Sequence, residues 1–181
     1  MSKQEIRKEI RRKINEMTEA QKVSQSLCVC EKILATQDWK DAKDVLLYYA
    51  LPDEVNLSLL FDSALIQKKT IWLPVVDGDI LKIRKYVEGK VSQSEQFHIF
   101  EPTIETEELT QDNYSRIDLA IVPGRAFSLN GNRIGRGKGY YDKFLALSSC
   151  ATFGVAFSCQ ILDTVPMEEW DKKMDKVIIS D

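Results

Sequence analysis

Histidine occurs once in the 181 residues and cysteine only four times. The cysteines, Cys28, Cys30, Cys150 and Cys159, lack CxxC spacing, so zinc binding and dithiol redox chemistry have no framework. Free thiols packed as small hydrophobic groups in a reducing compartment are the expectation. No apolar run approaches the length that crosses a bilayer. The opening residues Met1, Ser2, Lys3, Gln4, Glu5, Ile6 and Arg7 are charged at once and have no apolar signal core. These features predict a cytoplasmic protein without membrane attachment. A Walker A loop and a GxGxxG fingerprint are both missing. The net charge of −3 gives the whole molecule no affinity for polyanions.

What is present is ordinary globular composition, 44% hydrophobic and 29% charged, at a length that suits one domain over residues 1–181. The charge is uneven. The first 13 residues carry Lys3, Arg7, Lys8, Arg11, Arg12 and Lys13 against Glu5 and Glu9. Residues 125–143 carry Arg125, Arg133, Arg136, Lys138 and Lys143 against Asp142 alone. Two basic patches on an acidic chain point to a local anionic ligand.

Ile6, Ile10 and Ile14 recur every four residues and predict an amphipathic first helix. A second helix is expected from a Thr18 cap through Val23, Leu27, Cys30 and Leu34. Short apolar runs at 45–49, 70–73, 119–122, 152–157 and 176–180 read as buried strands, the second stopped by Pro74. Helices are expected at 57–66 and 140–147, and a strand at 80–87 after the Asp77-Gly78 turn. Residues 88–116 are less regular, with an apolar island at 97–102. Strands alternating with helices predict an α/β fold: one three-layer α/β/α domain, Rossmann-like, with a mostly parallel sheet. Ligands of such sheets sit beyond the C-terminal strand ends.

The segment directly after the strand at 119–122 carries the chemistry. Gly135, Gly137 and Gly139 alternate with Arg136 and Lys138, and a helix follows from Tyr140. Glycines let backbone N–H groups converge on one oxygen-rich group, and the helix start adds its positive dipole end. Arg136 can fork onto phosphate oxygens, while Lys138 supplies a compact charge. Asp142 is a natural Mg²⁺ ligand beside a polyphosphate, or else a first-turn acid complementing the helix dipole.

This stretch resembles the signature of the 5-formyltetrahydrofolate cyclo-ligase family. Members read approximately Pro-Gly-x-Ala-Phe-Asp-x-x-Gly-x-Arg-Leu-Gly-x-Gly-x-Gly-Tyr-Tyr-Asp, and Pro123 to Asp142 matches most of it. The likeness extends to Lys3 and Arg7, to Pro52, Asp53 and Glu54, to Glu101 and Pro102, and to the stretch 171–175. Three positions depart from the pattern: Ser128 stands for Asp, Arg125 for an apolar residue, and His98 for Gly.

The resemblance implies ATP- and Mg²⁺-dependent cyclisation of 5-formyltetrahydrofolate to 5,10-methenyltetrahydrofolate. It implies ATP binding by Lys3, Arg7, Arg133, Ile134, Gly135, Arg136, Gly137, Lys138, Gly139, Tyr140 and Tyr141. Arg136, Lys138 and Tyr140 become the expected catalytic residues, and Tyr49, Glu54 and Tyr140 the expected folate contacts. Asp142 and Asp171 become the expected Mg²⁺ ligands, and the enzyme is expected to be a monomer that binds no nucleic acid. Other readings stay open on sequence alone. Lys3 and Arg7 fit a solvated helix face, and Tyr49 fits a core. The scaffold also suits a nucleotide- or RNA-binding module with Tyr140 and Tyr141 as stacking platforms, a sugar-phosphate isomerase, or a small-molecule kinase.

Overall fold

The structure is a computed structural model that describes residues 1–94 and 99–180. In chain order its elements begin with α1 (Lys3–Glu16), α2 (Glu19–Ala35), α3 (Gln37–Asp41), β1 (Asp44–Leu46) and α4 (Ser58–Ile66). Then come β2 (Thr70–Asp77), β3 (Ile80–Lys85), β4 (Val91–Gln93), β5 (Phe100–Pro102) and β6 (Glu108–Leu109). The second half holds β7 (Leu119–Pro123), β8 (Ala126–Phe127), β9 (Arg133–Ile134), α5 (Tyr140–Leu147), β10 (Ala151–Ala156) and β11 (Lys176–Ile179).

Seven strands form one sheet in the order β11-β10-β7-β1-β2-β3-β6. Neighbours from β11 to β2 run parallel, and β3 and β6 extend that edge antiparallel. The chain leaves β1 toward β2 on one side and later returns to β7, β10 and β11 on the other. The loops after β1 and β7 therefore diverge and open a crevice at the C-terminal strand ends, the switch point of an open α/β sheet.

Alternation of side chains along the strands divides the core in two. Val45, Leu47, Ile71, Leu73, Ile121 and Val155 face α1, α2 and α4, where Ile6, Ile10, Ile14, Val29, Ile33 and Leu60 meet them. Leu46, Trp72, Ala120 and Val122 face the opposite way, under Phe144 and Leu145 of α5 and Tyr114 of a 3₁₀ turn, Gln111–Arg116. Helices thus cover both faces of a mostly parallel sheet, the expected three-layer α/β architecture. Each of the three buried isoleucines of α1 contributes roughly 1.5–3 kcal/mol by burial, which holds that helix on the sheet. At Gly154 the ring of Phe127 takes the space of a side chain, since a Cβ there would lie 2.5 Å from Phe127 Cε1.

The helices start where their caps direct. Thr18 Oγ1 accepts from Gln21 N at 3.2 Å, and Gln21 Oε1 accepts from Thr18 N at 2.8 Å. The buried face of α2 differs from the expected one. Val23 and Leu27 are exposed, and Ser26, Val29, Cys30 and Ile33 face the core. The polar Ser26 is accommodated because its hydroxyl accepts the N–H of Asn56 at 3.0 Å. Strand β2 also runs through Pro74 rather than stopping there. Tyr86 N–H donates to Ile71 O, so by alternation the β3 ladder bonds fall on Ile71, Leu73 and Val75. Pro74 therefore directs its nitrogen away from β3, so its missing N–H removes no bond from the β2–β3 ladder. The remaining strands and helices agree with expectation to within a few residues. His98 and Phe97 lie outside the described residues.

Candidate functional site

The glycine loop hangs from a clasp. Arg133 of β9 is buried with 4% of its side chain exposed. Its Nε donates to Pro123 O at 3.0 Å, its Nη1 pairs with Asp142 Oδ1 at 3.1 Å, and its guanidinium lies over the ring of Tyr141. One cation thereby joins the end of β7, the hairpin of β8 and β9, and the first turn of α5. Between these anchors Gly137 and Gly139 adopt φ of 108° and 68°, a region where a side chain is strained. The left-handed Gly139 turns the backbone into α5, leaving that helix's first N–H groups unclaimed at the loop.

On one side of the loop is a cavity of about 110 Å³ bordered by Lys3, Arg7, Gly135, Gly137, Asp142 and Asp171. Helix α1 supplies its basic residues through tertiary contacts, not as a solvated face. Arg7 Nε donates to Gly135 O at 2.8 Å, and Lys3 Nζ reaches Asp171 at 2.5 Å and Glu168 at 2.7 Å. Burial lowers the proton affinity of Lys3, but these two carboxylates outweigh it and raise its pKa.

On the other side is a larger cleft of about 240 Å³. Its floor is apolar, from Leu51, Pro74, Val76 and Leu81, with Tyr48 and Tyr49 at the end of the β1 segment. Tyr49 stacks on Phe61 with ring centroids 4.9 Å apart and meets Phe100 edge-on at 6.1 Å. Burial, reinforced by Tyr86, pushes its hydroxyl up to about 12, so it stays a neutral donor. Besides Asp142, two glutamates border this cleft. Glu54 accepts from Leu51 N at 3.0 Å and from Arg136 Nε at 2.9 Å. Glu101 of β5 has its pKa raised by burial, opposed only by the N–H of Val76.

Arg136 crosses the mouth of the cleft to pair with Glu54 and Asp53. Asp53 is shared, because its other oxygen pairs at 2.5 Å with Arg125, whose side chain is 4% exposed. Burial would raise the pKa of Asp53, yet the two guanidinium groups prevail and hold it below the ordinary aspartate value. Lys138 borders the same cleft with no hydrogen bond or ion pair among the described residues. Tyr140 lines the cleft with its ring while its hydroxyl donates to Gly78 O at 2.9 Å, tying α5 to the β2–β3 turn.

The structure therefore gathers every sequence-derived site residue around one loop. Lys3, Arg7, Ile134 and Asp171 border the small cavity, Tyr49, Glu54, Arg136, Lys138, Tyr140 and Tyr141 the cleft, and Arg133, Gly135, Gly139 and Asp142 both. Two of the departures from the family pattern have structural roles. Arg125 compensates Asp53, and Ser128 donates to Asn130 Oδ1 at 2.5 Å, bracing the turn of the β8–β9 hairpin. Sequence reasoning missed the Asp53 hub, Glu101 as a cleft wall, and Trp170 beside the small cavity. The run Pro52-Asp53-Glu54 and the Glu101-Pro102 pair were visible signals for the first two. The cysteines are free, and burial raises the thiol pKa of Cys30 to about 12, so they are packing groups here.

An apolar cleft and a small polar cavity, lined by Lys3, Arg7 and Arg133 with Asp142, Glu168 and Asp171, meet over a glycine loop at the sheet's switch point, the arrangement of a small-molecule enzyme of the α/β class. The profile of the 5-formyltetrahydrofolate cyclo-ligase family matches residues 1–180. The 5-formyltetrahydrofolate cyclo-ligase of Haemophilus influenzae is 28% identical, over 98% of this chain and 97% of that protein. The mouse protein of the same name is 26% identical, over 99% and 94%. Among solved structures, the 5,10-methenyltetrahydrofolate synthetase of Aquifex aeolicus superposes with a TM-score of 0.85 at 32% identity, covering 98% of this chain and 89% of that one. The synthetase of Mycoplasma pneumoniae, at 23% identity and a TM-score of 0.81 over the whole of both chains, shares the fold. The chain belongs to the 5-formyltetrahydrofolate cyclo-ligase family.

Proposed function

We propose that this chain, acting as one cytoplasmic, monomeric catalytic domain, closes 5-formyltetrahydrofolate to 5,10-methenyltetrahydrofolate with release of ADP and phosphate. The observation that carries this reading is the wall common to the two cavities: Arg133, Gly135, Gly139 and Asp142 border both. A triphosphate lying along the loop from the small cavity would bring its γ-phosphate to that wall. A flat, partly apolar pterin in the cleft would bring its formyl group there from the other side. Two ligands meeting over one backbone loop is the arrangement a phosphoryl transfer between them requires.

Formamide oxygen is a poor leaving group. In the proposed sequence it attacks the γ-phosphorus, forming an O–P bond as the bond to ADP breaks. N10 then adds to the activated carbon and loses its proton, and the C–O bond breaks to release phosphate. Backbone N–H groups of residues 135–139 and the α5 start would hold the phosphates. Lys138, a cleft cation without an ion pair among the described residues, would follow the charge on the transferring group. Tyr49 would stack on the pterin, and the carboxylate of Glu54 would accept its N–H donors. Tyr140 would act as a wall of the site, since its hydroxyl is already engaged.

Mg²⁺ would be held by Asp142 and Asp171 and would supply neutralisation of phosphate charge. The donor set fits that ion. Asp142 and Asp171 border the same small cavity, and Mg²⁺ typically takes one or two carboxylates plus substrate phosphates. An RNA-binding role finds no support in the two tyrosines, because Tyr141 packs on Arg133 and Tyr140 is tied to Gly78. Among the described residues no helix is long and apolar enough to cross a membrane.

The test is an absorbance scan of the protein with 5-formyltetrahydrofolate and MgATP. The conjugated methenyl product absorbs at longer wavelength than the substrate. A new long-wavelength band requiring both substrates, with stoichiometric ADP, is expected. ATP turnover indifferent to folate would overturn the reading.

A further inference from the structure

Four charges meet beside the mouth of the cleft. Asp53 and Glu54 follow the β1 segment, Arg136 comes from the glycine loop, and Arg125 comes from the bend between β7 and β8. Arg125 is not among the described residues that line either cavity. Its side chain is 4% exposed, at a position where the family pattern has an apolar residue. An apolar side chain would be buried there without the desolvation cost of a guanidinium.

The bend that carries Arg125 is fixed on both sides. Arg125 N donates to Ile134 O at 2.7 Å, and Gln160 Nε2 donates to Arg125 O at 3.1 Å and to Gly124 O at 2.8 Å. From that anchor Arg125 Nη1 pairs with one oxygen of Asp53 at 2.5 Å. The other oxygen of Asp53 holds Arg136 Nη2, which also reaches Glu54 Oε1 at 2.8 Å. Two cations therefore face two carboxylates, with Asp53 shared.

Sharing changes what Arg136 gives up when it moves. Burial first, and the charge of Arg136 second, lower the pKa of Arg125, so the two guanidinium groups repel each other across one carboxylate. If Arg136 turns to an anionic ligand, Arg125 and Asp53 stay behind as a neutral pair. Without Arg125 the same movement would strand a half-buried aspartate, and Arg136 would be held by two carboxylates alone. We propose that Arg125 is a positioning residue that frees Arg136 from Asp53, so that Arg136 is available to the triphosphate. This rests on the nucleotide reading above and deepens it.

The test is MgATP titration calorimetry and steady-state kinetics on the full chain, with folding checked by circular dichroism. Arg125→Leu should weaken MgATP and raise KM for ATP about fivefold, with kcat at saturating substrates unchanged. Arg125→Leu/Asp53→Asn should bind MgATP at least as tightly as wild type, because the carboxylate that would trap Arg136 is gone. A merely structural Arg125 would lower kcat as well, and the second substitution would not restore affinity. Wild-type MgATP affinity in Arg125→Leu overturns the inference, as does a loss that persists in the double variant. Should Arg125→Leu not fold, the double variant, which buries no unpaired charge, decides alone: weaker MgATP binding than wild type overturns the inference. If MgATP does not bind the wild-type protein, the nucleotide reading itself falls.

Discussion

Arg136 Nε donates to Glu54 Oε1 at 2.9 Å, joining the glycine loop to the segment after β1 across the mouth of the cleft. The residue expected at the phosphates is thus paired with the one expected at the folate. For Arg136 to reach a phosphate it must loosen from Glu54 and Asp53. Asp53 would then remain compensated by the buried Arg125. This one side chain links the stretch expected at the phosphates electrostatically to the residue expected at the folate.

Arg136→Ala and Lys138→Ala should consequently differ. Among the described residues Lys138 has no competing partner, so its loss should fall mainly on kcat. Arg136→Ala should raise KM for ATP and, by leaving Glu54 without its cation, also change KM for the folate. Losing a charge-assisted phosphate contact costs about 1.5–3 kcal/mol, or roughly 10- to 100-fold. Steady-state kinetics with each substrate varied in turn measures this. Near-wild-type kinetics for the double variant, with folding checked by circular dichroism, would remove both residues from the site.

Asp142→Asn should lose stability as well as activity. It leaves the buried Arg133 guanidinium without its counter-charge, at a cost of about 3 kcal/mol. Asp171→Asn should cost less, because Lys3 keeps Glu168 as a partner. Urea unfolding separates the two, and the Mg²⁺ dependence of turnover in the better-folded Asp171→Asn then reports the metal role. An unaltered Mg²⁺ response there would remove Asp171 as a ligand.

Asp53 sets an acid limit. Its folded-state pKa is depressed, so its contribution to stability is complete above the ordinary value of 3.8 and is lost as pH falls from there through the depressed value. Asp53→Asn should be less stable at neutral pH and should lack that segment of the acid transition. Parallel pH profiles for the two proteins would show the assignment to be wrong.

Glu101 carries the opposite sign. Its pKa is raised by burial, so the ionised form costs stability at neutral pH, and the cost is relieved as pH falls through the raised value and below the ordinary one. Glu101→Gln should be more stable than wild type at neutral pH, with the difference closing in acid. Thermal unfolding across pH measures it. A destabilised Glu101→Gln at neutral pH would contradict this assignment.

The parts legible beforehand share a local signal. Buried strands such as Leu119–Pro123 are short continuous apolar runs, and α1 announces itself by isoleucines four apart. The glycine loop was legible because alternating glycines and cations have few other uses. The α2 face was misread because Val23 and Leu27 fit the helical period as well as Val29 and Ile33 do. Only the hydroxyl of Ser26 meeting Asn56 N explains why the other stripe turned inward. Pro74 was misjudged because whether a proline interrupts a strand depends on the neighbour across its nitrogen, which strand order decides.

The sequence by itself determined the class of fold and the family, and it singled out residues 133–142 as the stretch around which the candidate site gathers, since these rest on periodicity and on residue types crowded into one stretch. Tertiary structure decided the electrostatics. Arg136 meets Glu54 across 82 positions and Lys3 meets Asp171 across 168, so no local pattern couples them. It also decided that Arg133 is buried and paired with Asp142, and that Trp170 borders a cavity rather than a core. Burial and charge compensation are properties of neighbours in space, and the chain fixes those neighbours only once it has folded.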